Sequence, residues 1–252
     1  MNDLEEYFLN NKGRHIHKWH HYFEIYDRHF RRFRNREIVV VEVGVFHGGS
    51  LQMWKSYFGE KAVIYGIDIN PRAKDLEEDN VKILIGSQSD RNFLRNLKSE
   101  LPAIDIFIDD GGHRMQQQII TFEELFDKIQ PDGVYVCEDL LTSYQLIYGG
   151  GHRRPGTFIE YSKRLIDKLN AWHSEEGSLK PDTFTSTTHS LHYYDSMLVI
   201  EKGAHPKPTV SKTGVPSFTN EPAREPPAGF KLLKLVNWVL RRFRLPGFKL
   251  NR

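Results

Sequence analysis

Ile38-Val39-Val40-Val41-Glu42-Val43-Gly44-Val45-Phe46-His47-Gly48-Gly49-Ser50 is a β-branched apolar run that breaks into a glycine-rich turn. The run reads as a buried strand. The glycines allow a sharp turn into a helix whose first N–H groups are free to meet a ligand. Outward from it, similar apolar runs recur at Ala62–Ile67, Val81–Ile85, Ile104–Ile108 and Gly133–Cys137. Helical patterns fill the gaps at Ser50–Tyr57, Pro71–Glu77, Asp90–Lys98 and Met115–Ile129. Strand and helix in alternation imply right-handed crossovers and a parallel sheet covered on both faces. Two more strands, around Thr183–His189 and Ser196–Glu201, would complete a Rossmann-like, doubly wound α/β sheet of seven mostly parallel strands. Thr157 and Glu160 form a capping-box pair ahead of a helix reaching about His173.

The chain of 252 residues accommodates one such domain, 38–203, with appendages. Residues 1–37 read as a helical segment, because aromatics recur at helical spacing between His17 and Arg36. Residues 204–229, rich in Pro, Ser, Thr and Lys, read as a flexible linker, followed by a terminal helical segment at 230–252. The lone Cys137 excludes an internal disulfide and the usual cysteine-based zinc frameworks. No secretory signal and no membrane-spanning run is visible, so the expected location is cytoplasmic, or peripheral at the inner face of the membrane. The net charge of +2 conceals an asymmetry. From Ala204 onward there are ten Lys/Arg against two Asp/Glu, leaving 25 against 31 before it. An acidic body with a basic tail does not fit a nucleic-acid enzyme, whose basic patch should surround the cleft.

Two groups of residues carry chemistry. The first is the turn itself, with Glu42, Gly44, Val45, Gly48 and Ser50, together with Asp68-Ile69 at the end of the second strand and Ser87-Gln88 after the third. A carboxylate where Asp68 stands can accept from both hydroxyls of a ribose. Asp109 closes the fourth strand beside the same crevice. A turn that binds nothing would also be glycine-rich, but the acidic strand end favours a nucleoside-bearing ligand. The turn is not the G-x-G-x-x-G signature, so a ligand smaller than a dinucleotide is expected. The second group is Asp110, His113, Glu138 and Asp139, at two adjacent strand ends. Neighbouring carboxylates repel unless a cation joins them, and such oxygens suit Mg²⁺, Ca²⁺ or Mn²⁺. His113 stands near enough to serve as a general base at neutral pH. Helix capping by Asp110 and loop salt bridges by Glu138 and Asp139 are the competing reading.

Glu-x-Gly-x-x-x-Gly-Gly-Ser, then Asp-Asp-Gly-Gly-His, then Glu-Asp, in this order, resembles the metal-dependent class I methyltransferases that act on sugar hydroxyls, of the macrocin and mycinamicin type. The cephalosporin hydroxylase proteins are more distant relatives. The resemblance runs from about Lys12 to Lys202 and includes Thr142-Ser143-Tyr144 and Leu191-His192-Tyr193-Tyr194-Asp195-Ser196. It implies S-adenosylmethionine as donor, a Mg²⁺ or Mn²⁺ on Asp110, Glu138 and Asp139, and His113 as base with Asp110 beside it. It also implies a saccharide or other small-molecule acceptor and a homo-oligomer, dimer or tetramer. Tyr144, His192 and Tyr193 are the candidate acceptor contacts. The same fold and metal would also serve a catechol-like acceptor or a hydroxylase-like reaction, and a non-catalytic membrane-recruited protein is the third reading. In the tail, Leu232, Val236, Val239, Leu240 and Phe243 share one helical face, opposite Lys231, Lys234, Arg241 and Arg242. That pattern fits peripheral membrane contact through 230–244.

Overall fold

The computed structural model describes residues 1–218, 229–243, 245, 247 and 248. Of the expected linker and terminal segment, residues 219–228, 244, 246 and 249–252 lie outside the described residues.

The helices α1 (Asp3–Leu9) and α2 (Tyr22–Phe30) precede strand β1 (Val39–Val43). Helix α3 (Gly49–Phe58), β2 (Val63–Asp68) and β3 (Val81–Ile85) follow, then α4 (Arg91–Glu100), β4 (Ile104–Asp109), α5 (Met115–Leu125) and β5 (Ile129–Cys137). Helices α6 (Phe158–Leu169) and α7 (Thr183–Thr187) lead to β6 (Thr188–Tyr194), β7 (Met197–Lys202) and the terminal α8 (Phe230–Arg242). The seven strands lie in the order β3-β2-β1-β4-β5-β7-β6. All pairs up to β4–β5 are parallel, and β7 runs antiparallel to both its neighbours. The order reverses between β1 and β4, and in open α/β sheets the crevice outside the carboxyl ends at that point takes the ligand.

Alternate residues of each strand enter opposite cores. Val40, Ile64, Ile106 and Val134 face the side covered by α2 and α3, while Val41, Val43, Phe107 and Tyr135 face α4, α5 and α6. This period of two along strands buried on both faces is why the apolar runs are nearly continuous. The first side is unusually aromatic. Tyr26 stacks on Phe30 at 5.7 Å, and Trp54 meets Tyr26 edge-on at 5.0 Å, so α2 is fixed to α3 by rings.

Four sequence expectations shift. The expected helix from His17 to Arg36 is confined to α2 and a single 3-10 turn at Arg31–Phe33; residues ahead of it form an extended strap, and α1 was not anticipated. Gly49 explains the strap: a Cβ there would come within 2.4 Å of the His15 carbonyl, so the chain crosses the start of α3 where no side chain projects. The pattern over Pro71–Glu77 is a 3-10 helix, Pro71–Leu76, with Asn70 as cap. Helix α5 stops at Leu125, where the 3-10 turn Phe126–Lys128 leads directly into β5. Thr183–Thr187 is helical, because Asp182 and Thr185 form a reciprocal cap, and β6 begins only at Thr188. Thr157 caps α6, its hydroxyl accepting from the Glu160 N–H, but the expected box does not close: the Thr157 N–H donates to the Arg154 carbonyl and the Glu160 carboxylate pairs with Lys163. Among the described residues no helix is long and apolar enough to cross a membrane.

Candidate active site

At the switch point the β1–α3 and β4–α5 turns touch. Gly44 has φ of +96°, and a Cβ there would sit 2.1 Å from the Asp110 carbonyl oxygen, so only glycine lets the two turns meet. The crevice above them is a cavity of about 470 Å³, within the roughly 300–1,000 Å³ of small-molecule sites. Around it, three rim turns each hold a non-glycine residue in the left-handed region: Phe46 (φ 51°), His113 (φ 53°) and Asp139 (φ 53°). Such conformations cost about 1–3 kcal/mol each and gather where geometry must be fixed for function.

Of the residues expected to meet a donor, some line this cavity and others lie behind its wall. Gly44, Ser50, Asp68, Ile69, Ser87 and Gln88 line the cavity. Glu42 lies beneath it, fully buried, accepting from Ser50 Oγ at 2.7 Å. Val45 is buried in the core and Gly48 is the N-cap of α3, so neither lines the cavity. Asp109 also sits behind the wall: Gln88 donates to it at 3.0 Å while accepting the Gly112 N–H at 2.8 Å. Burial pushes the Asp109 carboxyl up to about 6, against the hydrogen bond from Gln88. Asp68 holds the glycine turn itself, Oδ2 accepting from Val45 and Phe46 N–H at 2.9 and 3.1 Å.

The acid-side residues converge on the same cavity. Oxygens of Asp110 and Asp139 and a ring nitrogen of His113 lie within 4.8 Å of one another. His113 Nε2 is 3.5 Å from Asp139 Oδ2 and 4.0 Å from Asp110 Oδ1, while its Nδ1 is buried with no hydrogen-bond partner. Glu138 is oriented differently. Tyr26 Oη donates to one of its oxygens at 2.6 Å and Lys18 Nζ to the other at 2.9 Å. Burial and the neighbouring Asp110 carboxylate push Glu138 well above the usual carboxylate range, and Lys18 and Tyr26 pull the other way. Asp139 Oδ1 accepts from Trp19 Nε1 at 3.1 Å and Tyr22 Oη at 3.0 Å.

Lys18, Trp19 and Tyr26 escaped the sequence reading. All precede β1, on the strap or on α2, and an uninterrupted helical reading hides a lysine that turns inward. No local pattern marks the inward turn of Lys18, which depends on where the strap crosses α3. The candidate acceptor contacts separate from the site. Tyr144 is exposed on a 3-10 turn just past Asp139, outside the cavity walls. His192 and Tyr193 stand on β6, the outermost strand, which β7 separates from the β5 rim, and neither reaches the cavity. His192 instead joins His29 and Glu201.

Comparison with known proteins fits this geometry. A family model described as a methyltransferase domain matches residues 41–140, the span from β1 to the Asp139 turn. The rhamnosyl tetracenomycin-C 2'-O-methyltransferase of Streptomyces olivaceus is 37% identical over 199 residues, covering 75% of this chain and 52% of that one. Demethylmacrocin O-methyltransferase of Streptomyces fradiae is 34% identical over 230 residues, 86% of this chain and 55% of its own. Residues 41–140 therefore carry a methyltransferase domain, and the chain is similar to these O-methyltransferases over three quarters or more of its own length. The mycinamycin-pathway methyltransferase MycE, solved with Mg, S-adenosylhomocysteine and mycinamycin VI, superposes with a TM-score of 0.71 at 31% identity. That match covers 88% of this chain and 56% of MycE. The chain therefore spans about half the length of the curated relatives it matches. A further likeness, to a caffeoyl-CoA-type O-methyltransferase structure from Staphylococcus aureus at 14% identity and TM-score 0.51, supports the fold alone.

Proposed function

We propose that this chain transfers the methyl group of S-adenosylmethionine to a hydroxyl of a sugar or glycosylated small molecule, with help from Mg²⁺ or Mn²⁺. The observation that carries the reading is the single cavity wall shared by the glycine turn and the Asp110–His113–Asp139 group. The donor side would hold the nucleoside against Asp68, Ile69, Ser87 and Gln88. The hard oxygens of Asp110 and Asp139, backed by Glu138, are the donor set a divalent cation takes. When bound, that cation supplies Lewis acidity toward an acceptor hydroxyl, and the donor supplies the methyl group.

The chain's own residues do the rest. His113 Nε2 faces the cavity beside both aspartates, placed to take the hydroxyl proton while Asp110 and Asp139 stabilise the imidazolium that results. Trp19 and Tyr22 stand over Asp139, and the half-exposed Trp19 ring offers a sugar an apolar face to stack on. Acceptor contact therefore falls to Trp19 and Tyr22, which line the cavity, with Tyr144, His192 and Tyr193 outside it. Labelled methyl transfer to a panel of glycosides and catechols, with Mg²⁺ or with excess chelator, tests this. Glycosides should be labelled only with metal present; equal labelling in chelator removes the cation role, and catechol-selective labelling moves the acceptor class.

Two aspects of the wider assembly follow the same reading. Helix α8 presents Leu232, Leu235 and Trp238 exposed, with Phe243 just past its end, interleaved with Lys231, Lys234 and Arg242, which supports contact with an anionic lipid surface. Binding to vesicles containing phosphatidylglycerol should disappear when residues 230–252 are deleted. The exposed Leu146 and Ile147 beside the rim support a homo-oligomer, dimer or tetramer, which the mass in solution measures directly.

A further inference from the structure

Lys18 is a lysine with 3% of its side chain exposed, set among the acids of the site. Its Nζ lies 2.5 Å from Asp110 Oδ2, 2.9 Å from Glu138 Oε2 and 3.7 Å from Glu42 Oε1. Burial alone works against an ammonium, and the three carboxylates outweigh it, holding Lys18 above its ordinary value. The strap that carries it is pinned on its other flank, where Arg14 donates to the Leu76 carbonyl at 2.9 Å and pairs with Glu78. Lys18 thus splits the acid cluster. The inner half, Glu42, Glu138 and Asp110 Oδ2, faces the ammonium. The outer half, Asp110 Oδ1, Asp139 Oδ2 and His113, opens to the cavity.

We propose that Lys18 is the resident counter-cation of this cluster: it holds Asp110 and Glu138 together and competes with the divalent cation for them, thereby setting the cation's affinity. The inference rests on the metal-assisted reading above. One carboxylate, Asp110, is shared between ammonium and open seat, so a cation bound there meets a like charge one residue away in a setting that water barely screens. Glu138, with its two oxygens engaged by Tyr26 and Lys18, is open to the cation only if the ammonium withdraws from it. A site built this way binds the metal more weakly than its acids alone would, and Lys18 acts as a positioning residue, outside the reacting atoms.

Mn²⁺ binding, read from the electron paramagnetic resonance of the free ion, tests this without any turnover. Wild-type chain should bind Mn²⁺, and Lys18→Met, which keeps the stem and removes the charge, should bind it about tenfold tighter or more, as expected when a poorly screened like charge is removed. Removal of a residue that is merely structural would leave affinity unchanged or lower it, and either result overturns the proposal. If wild type binds no Mn²⁺, the metal reading itself fails, a different outcome. Should Lys18→Met be destabilised without metal, because its acids have lost their counter-charge, thermal melting with and without Mn²⁺ decides. The variant's melting temperature should rise more on adding Mn²⁺ than that of wild type; an equal or smaller rise overturns the proposal.

Discussion

Two clusters in this molecule contain the same kinds of side chain. Asp110, His113 and Asp139 meet at the carboxyl rim, and His29, His192 and Glu201 meet where α2 packs on β6 and β7. In the second, every group has a partner within the protein. His29 Nδ1 bonds Glu201 and its Nε2 bonds Tyr194 Oη, both at 2.9 Å, and His192 Nε2 bonds Ser190 Oγ at 2.8 Å. Arg32 stands 3.6 Å from the same carboxylate. In the first, His113 Nδ1 has no partner, the backbone is held in the left-handed region, and the group faces a cavity. A polar cluster that satisfies itself braces the fold, whereas one that leaves a buried atom open and pays backbone strain is kept for something that binds.

The largest expected effect separates the two directly. His113→Ala should lower kcat about 10²-fold or more, the range of a lost general base, with donor affinity nearly unchanged by calorimetric titration. His29→Ala should leave kcat per folded molecule intact. A loss of turnover in both, or in neither, collapses the distinction. Next comes Asp139→Asn, which tolerates the left-handed conformation but removes a charge. It should weaken Mn²⁺ binding about tenfold or more, since affinity at hard-cation sites follows ligand charge. Substituting His192 should leave the number of Mn²⁺ bound per chain as in wild type. A drop would make the edge cluster a metal site and undo the comparison.

How far these clusters were legible in sequence follows the same division. The rim residues announce themselves because the fold places them: apolar runs fix the strands, and whatever follows each run lands on the rim. Gly44, Asp68, Asp110, His113 and Asp139 could therefore be found by counting from strand ends. Lys18 could not, since its position depends on a strap crossing Gly49, a tertiary contact that no local periodicity encodes. His192 misled for the converse reason. It lies in a polar and aromatic run that looks functional, and only the strand order puts β6 beyond β7 and away from the rim. The helical reading of Thr183–Thr187 was lost to β-branched residues, which a capping aspartate outweighed locally.

Stability is where the edge cluster should register. His29→Ala removes a buried ring and its 2.9 Å hydrogen bonds to Tyr194 and Glu201, leaving Glu201 the longer contacts of Ser190 and Arg32, so a loss of about 1–3 kcal/mol is expected, read as a drop of several degrees in melting temperature.

The smallest effect is the most specific to bracing. The His29 hydrogen bond, with Arg32 adding to it, holds the Glu201 carboxyl down at about 2 from an ordinary 4.5. A carboxylate whose folded pKa is depressed stabilises the fold fully above its unfolded value and loses that contribution as pH falls toward the folded one. The melting temperature should therefore decline between about pH 4.5 and pH 2, in part because of Glu201. Glu201→Gln removes that titration while keeping the side chain's size and its hydrogen-bonding oxygen. The variant should melt lower than wild type by a few degrees near neutral pH, and the gap should close as the acid limb is descended. A gap that stays constant down to pH 2 would mean that Glu201 contributes packing alone, and the ionic part of the brace would fall.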